Sequence, residues 1–199
     1  MTLLPLFPLG SVLFPGGVLR LRVFEARYLD LVTRCLREAT PFGVVCLRQG
    51  SELRDDKQAV LLEDIGTLAH LQDVDADQAG ILSVRCIGGM RFRVHEAAQR
   101  ADGLWLATPE WQAADERVAP MPELAQAATA LSTAIESLDQ KGQQPFARPY
   151  RLDDAGWVAN RWCEILPIAP AARQRLMQLD EPQLRLRLVH DFLRGKGVL

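Results

Sequence analysis

The sequence predicts an α+β fold, with an N-terminal antiparallel β-barrel carrying one helix and a C-terminal helical bundle. Three observations carry that expectation. Apolar and polar residues alternate with period two over several stretches of the first part, as in Leu19, Leu21 and Val23 against Arg20 and Arg22. After about residue 118 the apolar spacing becomes helical, as in Leu124, Ala127, Ala128, Leu131, Ala134, Ile135 and Leu138. Pro120 and Pro122 stand at the change and read as a hinge. The expected units are residues 1–118, a β-barrel subdomain, and 119–199, a helical-bundle subdomain.

The opening run Leu3-Leu4-Pro5-Leu6-Phe7-Pro8-Leu9 reads as an edge strand or extended arm, because proline has no N–H to give a ladder. Pro15-Gly16-Gly17 is a turn signal, and a strand follows at 18–23. Tyr28, Leu31, Val32, Cys35 and Leu36 then share one face of a helix ended by Thr40-Pro41. Residues 42–47 read as a strand, 49–64 as a charged surface loop, 65–71 as a strand and 72–80 as an acidic turn. From 81 to 95 two alternating runs flank Gly88-Gly89, which reads as a hairpin with its turn at the two glycines. Residues 104–111 form the last strand.

In the second part, 141–149 reads as a loop. Asp153 is the expected N-cap of a helix carrying Trp157, Val158 and Trp162, which stops before Pro167. A short helix is expected over 171–179. A final helix is expected with Asp180 as cap, Gln183 three residues on, and Leu179 and Leu184 as a hydrophobic staple. Gly195 and Gly197 end it.

Composition narrows the function. Formal net charge is −2, with 48 % hydrophobic and 24 % charged residues. Neither part has the positive excess that phosphate backbones require, so nucleic acid is not the expected partner. No run approaches the ~20 apolar residues of a membrane span, and the apolar start lacks the basic flank of a signal peptide. Cys35, Cys46, Cys86 and Cys163 each sit in apolar surroundings, which suits buried reduced thiols and a cytoplasmic address.

Catalytic patterns are missing. There is no GxxxxGK[ST] phosphate loop, and lysine is confined to Lys57, Lys141 and Lys196. None of Ser11, Ser51, Ser83, Ser132 and Ser137 lies in GxSxG. His70, His95 and His190 are scattered, without metal-ligand spacing. The expectation is therefore a non-enzyme with no catalytic residue, cofactor or metal. Arg20, Arg22, Arg85, Arg91 and Arg93 lie opposite apolar residues on strands, as a plain polar exterior or as a basic band for an acidic segment. Trp105, Trp111, Trp157 and Trp162 suit either the seam between the modules or a peptide groove.

The run LPLFPLGSVLFPGGVLRLRVFEARY (residues 4–28) resembles the opening of the Lon protease N-terminal, substrate-recognition domain. FGVV (42–45), IGTLAHL (65–71) and VRCIGGMRFRV (84–94) follow in that family's order, and LPI after the Trp162 helix and the closing Leu/Arg-rich helix also match. Ala26 stands where the family often has Pro, and Gly10-Ser11 replaces a common Asn-Thr. The resemblance implies a free-standing member with a PUA-like barrel joined to a helical bundle. It further implies a chain without the family's ATPase and Ser–Lys peptidase domains, expected to recognise unfolded or degradation-tagged polypeptide. A protease or chaperone is a further expected partner. The alternative is a PUA-like protein binding RNA or a small ligand. The peptide-binding residues expected near the module junction are Trp111, Met121, Trp157 and Trp162.

Overall fold

The structure is a computed structural model that describes residues 3–50, 52 and 59–199. It is α+β, with six strands in one sheet and five α-helices among the described residues. The chain divides into two compact units, Met1–Ala113 and Ala114–Leu199.

The first unit contains β1 (Leu4–Leu9), β2 (Val18–Val23), α1 (Ala26–Glu38), β3 (Phe42–Gln49), β4 (Leu61–Gln78), β5 (Ile81–Gln99) and β6 (Trp105–Trp111). The strand order is β2-β5-β4-β3-β1-β6, and β6 also pairs with β5. Five strands therefore pair round a circuit, and β2 hangs on β5 alone. Only β1 and β3 run parallel; the other pairs are antiparallel.

Two apolar clusters hold this unit. Leu4, Leu6, Val45, Leu68, Phe92 and Ala107 come from all five strands of the circuit and pack on one another. A second cluster joins Tyr28, Leu31, Val32 and Cys35 of α1 to Phe7, Phe42, Val44, Val84 and Cys86 of the strands. Helical spacing delivers those four α1 residues to one face. Phe7 and Tyr28 stack across this contact, with ring centroids 3.9 Å apart at 13°. The buried Thr67 hydroxyl donates to Leu13 O at 2.7 Å. All four cysteines are free and buried.

Several local expectations need correction. β1 is an interior strand, lying between β3 and β6. Its two prolines are tolerated because the ladders are staggered. β6 pairs with Leu4–Leu6 and β3 with Leu6–Leu9, so Pro5 is paired on the β6 side only and Pro8 on the β3 side only. Gly88 and Gly89 are not a hairpin turn; both lie within the continuous strand β5. β5 changes neighbours there, pairing with β2 through Leu82–Ile87 and with β6 from Phe92 onward. The glycines admit close backbone: a Cβ on Gly88 would lie 2.1 Å from Phe14 O, and one on Gly89 2.4 Å from His70 Nε2. The true hairpin is β4–β5, turning at Ala79-Gly80, with Gly80 at φ +79°. The acidic segment 72–78 is consequently strand, with Asp73 opposite Arg85 and Asp75 opposite Ser83. The expected loop 49–64 is shortened, since β3 runs to Gln49 and β4 starts at Leu61. Residues 51 and 53–58 of that loop lie outside the described residues.

The second unit contains a 3₁₀ turn at Pro122–Leu124, then α2 (Ala125–Gln140), α3 (Ala155–Ile165), α4 (Pro170–Gln178) and α5 (Pro182–Gly195). α3 packs against α5, α2 and α4. Leu124, Ala127, Leu131, Ala155, Val158, Ala159, Cys163, Leu186, Val189 and Leu193 are buried. Residues 114–121 belong with these helices rather than with the strands: Ala155 N donates to Val118 O at 2.8 Å. The cap of α3 is Asp154, not Asp153; its carboxylate accepts from Gly156 N and Trp157 N, while Asp153 pairs with Arg117 at 2.7 Å. The cap position of α5 is Glu181, with no side-chain cap bond, not Asp180. Gln183, expected to complete a capping box, instead donates to Ala119 O at 2.6 Å and accepts from Met121 N at 3.3 Å. No helix among the described residues is long and apolar enough to cross a membrane.

Candidate polypeptide-contact surface

The four expected contact residues have different surroundings. Trp111 closes β6 opposite Phe92, and the two rings meet edge to face at 6.2 Å and 70°. It is 51 % exposed, so one side is anchored and the other is open. Met121 is 40 % exposed and is held by its neighbours: its N–H reaches Gln183, and the Arg187 guanidinium lies 3.8 Å from Sδ. Arg187 also pairs with Glu123 at 3.3 Å.

Trp157 is half-buried in an aromatic cluster with Phe146 at 6.2 Å and Tyr150 at 6.0 Å. The Arg161 guanidinium lies 5.6 Å from its ring centroid. Trp162 is only 5 % exposed, and its indole N–H donates to Ala127 O at 2.9 Å, which ties α3 to α2. Trp111 and Met121 are thus exposed, Trp157 is half-buried, and Trp162 is buried inside the helical unit.

Two buried arginines, Arg161 on α3 and Arg185 on α5, went unnoticed in the sequence, because a helical arginine reads as solvated. Arg185 donates to Asp115, to Asn160 Oδ1 at 3.1 Å, to Leu176 O at 2.9 Å and to Leu179 O. Arg161 is fully buried and lies 2.8 Å from Glu164. Burial pushes the Glu164 carboxyl up to about 7, against the lowering pull of Arg161 and Arg173. Burial likewise raises Cys46 to about 11 and Cys86 and Cys163 to about 12, which keeps these thiols protonated and unreactive at neutral pH.

The five strand arginines do not share the same surroundings. Arg91 is buried, whereas Arg20, Arg22 and Arg85 line a shallow basin of about 240 Å³ together with Asp73, Asp75 and Ser83. No group of three His, Cys, Asp or Glu among the described residues is placed to hold a metal ion. Leu184, expected in a staple with Leu179, and Leu188, one turn further on α5, are both exposed.

Comparison with known proteins places the chain. Residues 3–195 match the model of the ATP-dependent protease La (LON) substrate-binding domain, and the chain belongs to that family. The crystal structure of a Lon N-terminal domain protein from Xanthomonas campestris is 36 % identical, with a TM-score of 0.74, over 95 % of this chain and 97 % of that one. The N-terminal domain of a Mycobacterium avium complex Lon protease shares the fold at 14 % identity, with a TM-score of 0.65. Among full-length relatives, the Lon protease of Anaeromyxobacter dehalogenans is 27 % identical over 97 % of this chain. Lon protease 2 of Myxococcus xanthus is 36 % identical over 49 % of it. The chain spans 23 % of the length of the first and 12 % of the second.

Proposed function

We propose that this protein is a non-catalytic recognition module for unfolded or degradation-tagged polypeptide. Membership of a substrate-binding domain family is the observation that carries this reading. The β unit is taken as a PUA-like barrel, supported by the pairing circuit through β5 and β6. The helices of the second unit are taken as a helical bundle. The contact residues are Trp111 and Met121, with Trp157 half-buried behind its aromatic neighbours and Trp162 as internal support. Methionine adapts its shape, and tryptophan covers a large area with few rotors, so both suit clients of varied sequence. The proposed setting is the cytoplasm, with a protease or chaperone taking up the bound client.

Single-segment affinity should be weak, on the order of micromolar, because ordering an unfolded client opposes binding. The test is a tryptophan-fluorescence titration with reduced, carboxymethylated α-lactalbumin and, separately, with single-stranded RNA. Saturable binding of the unfolded protein, with a salt dependence much shallower than that of an RNA contact, supports the reading. Steeply salt-dependent RNA binding, with no response to unfolded protein, rejects it. Trp111→Ala should weaken binding by about ten-fold. If Trp111→Ala, Met121→Ala and Trp157→Ala all bind normally, the contact set is wrong and the general role survives.

A further inference from the structure

β2 differs from every other described strand in having a strand neighbour on one side only. Which of its main-chain groups face that open side follows from the register. Gly16 N donates to Gly88 O and Gly88 N donates to Gly17 O, with Gly16 at φ +71°, which is a glycine-type bulge. Counting on from that bond in an antiparallel ladder, Leu19–Cys86, Leu21–Val84 and Val23–Leu82 are the hydrogen-bonded pairs. Val18 and Arg22 therefore turn their N–H and C=O groups away from β5. The Arg22 side chain is exposed, and its row on the sheet includes Arg20 and, on β5, Arg85.

An open strand edge is a template for another extended chain. Charge decides what can use it. A second copy of β2 would bring arginines against arginines, and like charges across a pair are unfavourable. A segment with acidic side chains would meet Arg20 and Arg22 first, since Asp73 and Asp75 lie two strands further in, on β4. Main-chain pairing needs no particular client sequence, and six residues of edge accept roughly 20 Å of extended chain.

We propose that an extended, acidic segment of unfolded polypeptide adds to the β2 edge as a further strand. This rests on the polypeptide-binding role above and supplies its mode of recognition. The test is amide hydrogen exchange on the full chain, free and with excess reduced, carboxymethylated α-lactalbumin. The Val18 and Arg22 amides should become protected on binding. Arg22→Pro removes an outward N–H without touching the β5 ladder, and should weaken binding by about ten-fold, the worth of one or two hydrogen bonds. Arg22→Ala keeps the N–H and should weaken it less. If Arg22→Pro fails to fold, the exchange measurement on the unaltered protein still decides. Saturable binding with Val18 and Arg22 unprotected overturns the edge proposal and leaves the recognition role standing. Absence of any binding overturns both. Protection that grows with protein concentration alone, together with a dimer in sedimentation, assigns the edge to a second copy and also overturns the proposal.

Discussion

Arg185 of α5 and Asp115, seventy residues earlier in the chain, form a two-pronged ion pair, with Nη1 2.5 Å from Oδ2 and Nη2 3.3 Å from Oδ1. The Arg185 side chain is 1 % exposed and that of Asp115 16 %. The same guanidinium bonds Asn160 of α3 and the carbonyls of Leu176 and Leu179, so one side chain joins the lead-in segment, α3, the α4 terminus and α5.

Breaking one side of this pair leaves the other charge buried. Arg185→Ala should cost about 3–5 kcal/mol, while Asp115→Asn, which keeps an acceptor, should cost less. Urea unfolding of each variant checks the order. Equal and small losses would show that Arg185 is not the tie.

A second expectation concerns pH and Glu164. Its carboxyl titrates near 7 when folded, against an ordinary value of 4.5. Between those values the folded chain holds a proton that the unfolded chain has released. This group's contribution therefore falls as pH rises from 4.5 to 7, by about 3 kcal/mol at most, and is level above 7. Glu164→Gln removes this slope. Relative to the variant, the unaltered protein should be more stable at pH 5 than at pH 7.5 in paired urea titrations. A difference that does not change with pH would contradict the burial argument.

Gly88→Ala tests the close approach of β5 to Phe14. The new Cβ would meet the Phe14 carbonyl at 2.1 Å, and backbone cannot step aside as a flexible side chain can. A loss of at least 1–3 kcal/mol is expected. Gly195→Ala, with nothing within 4 Å of the added Cβ, is the control and should be near neutral. The pair is compared by thermal unfolding.

That same position shows where sequence reading reached its limit. The α+β class, the helical stretches and four of the five residues expected on the face of α1 were legible because hydrophobic period reports burial directly; Leu36, the fifth, is exposed at the end of the stripe. A Gly-Gly between two alternating runs, however, looks alike whether the chain reverses or runs close past a neighbour. Only the carbonyl of Phe14, far off in sequence, decides between them. The prolines of β1 misled for a related reason, since the stagger of two ladders is a property of the pairing partners. Asp73 and Asp75 alternate with Val74 and Ala76, so the strand there was readable, but their acidity suggested a turn. Of the contact set, Trp111 and Met121 emerge exposed. The fate of Trp162 depended on an acceptor, Ala127 O, that local spacing does not reveal.

The proposed role is recognition of polypeptide that has lost its fold. Isothermal titration with one polypeptide in two states tests it most directly: α-lactalbumin folded with its disulfides intact, and the same chain reduced and carboxymethylated. Weak, saturable binding of the unfolded form is expected, with a negative heat-capacity change from apolar burial, and no measurable binding of the folded form. Equal binding of both forms, or of neither, would contradict it.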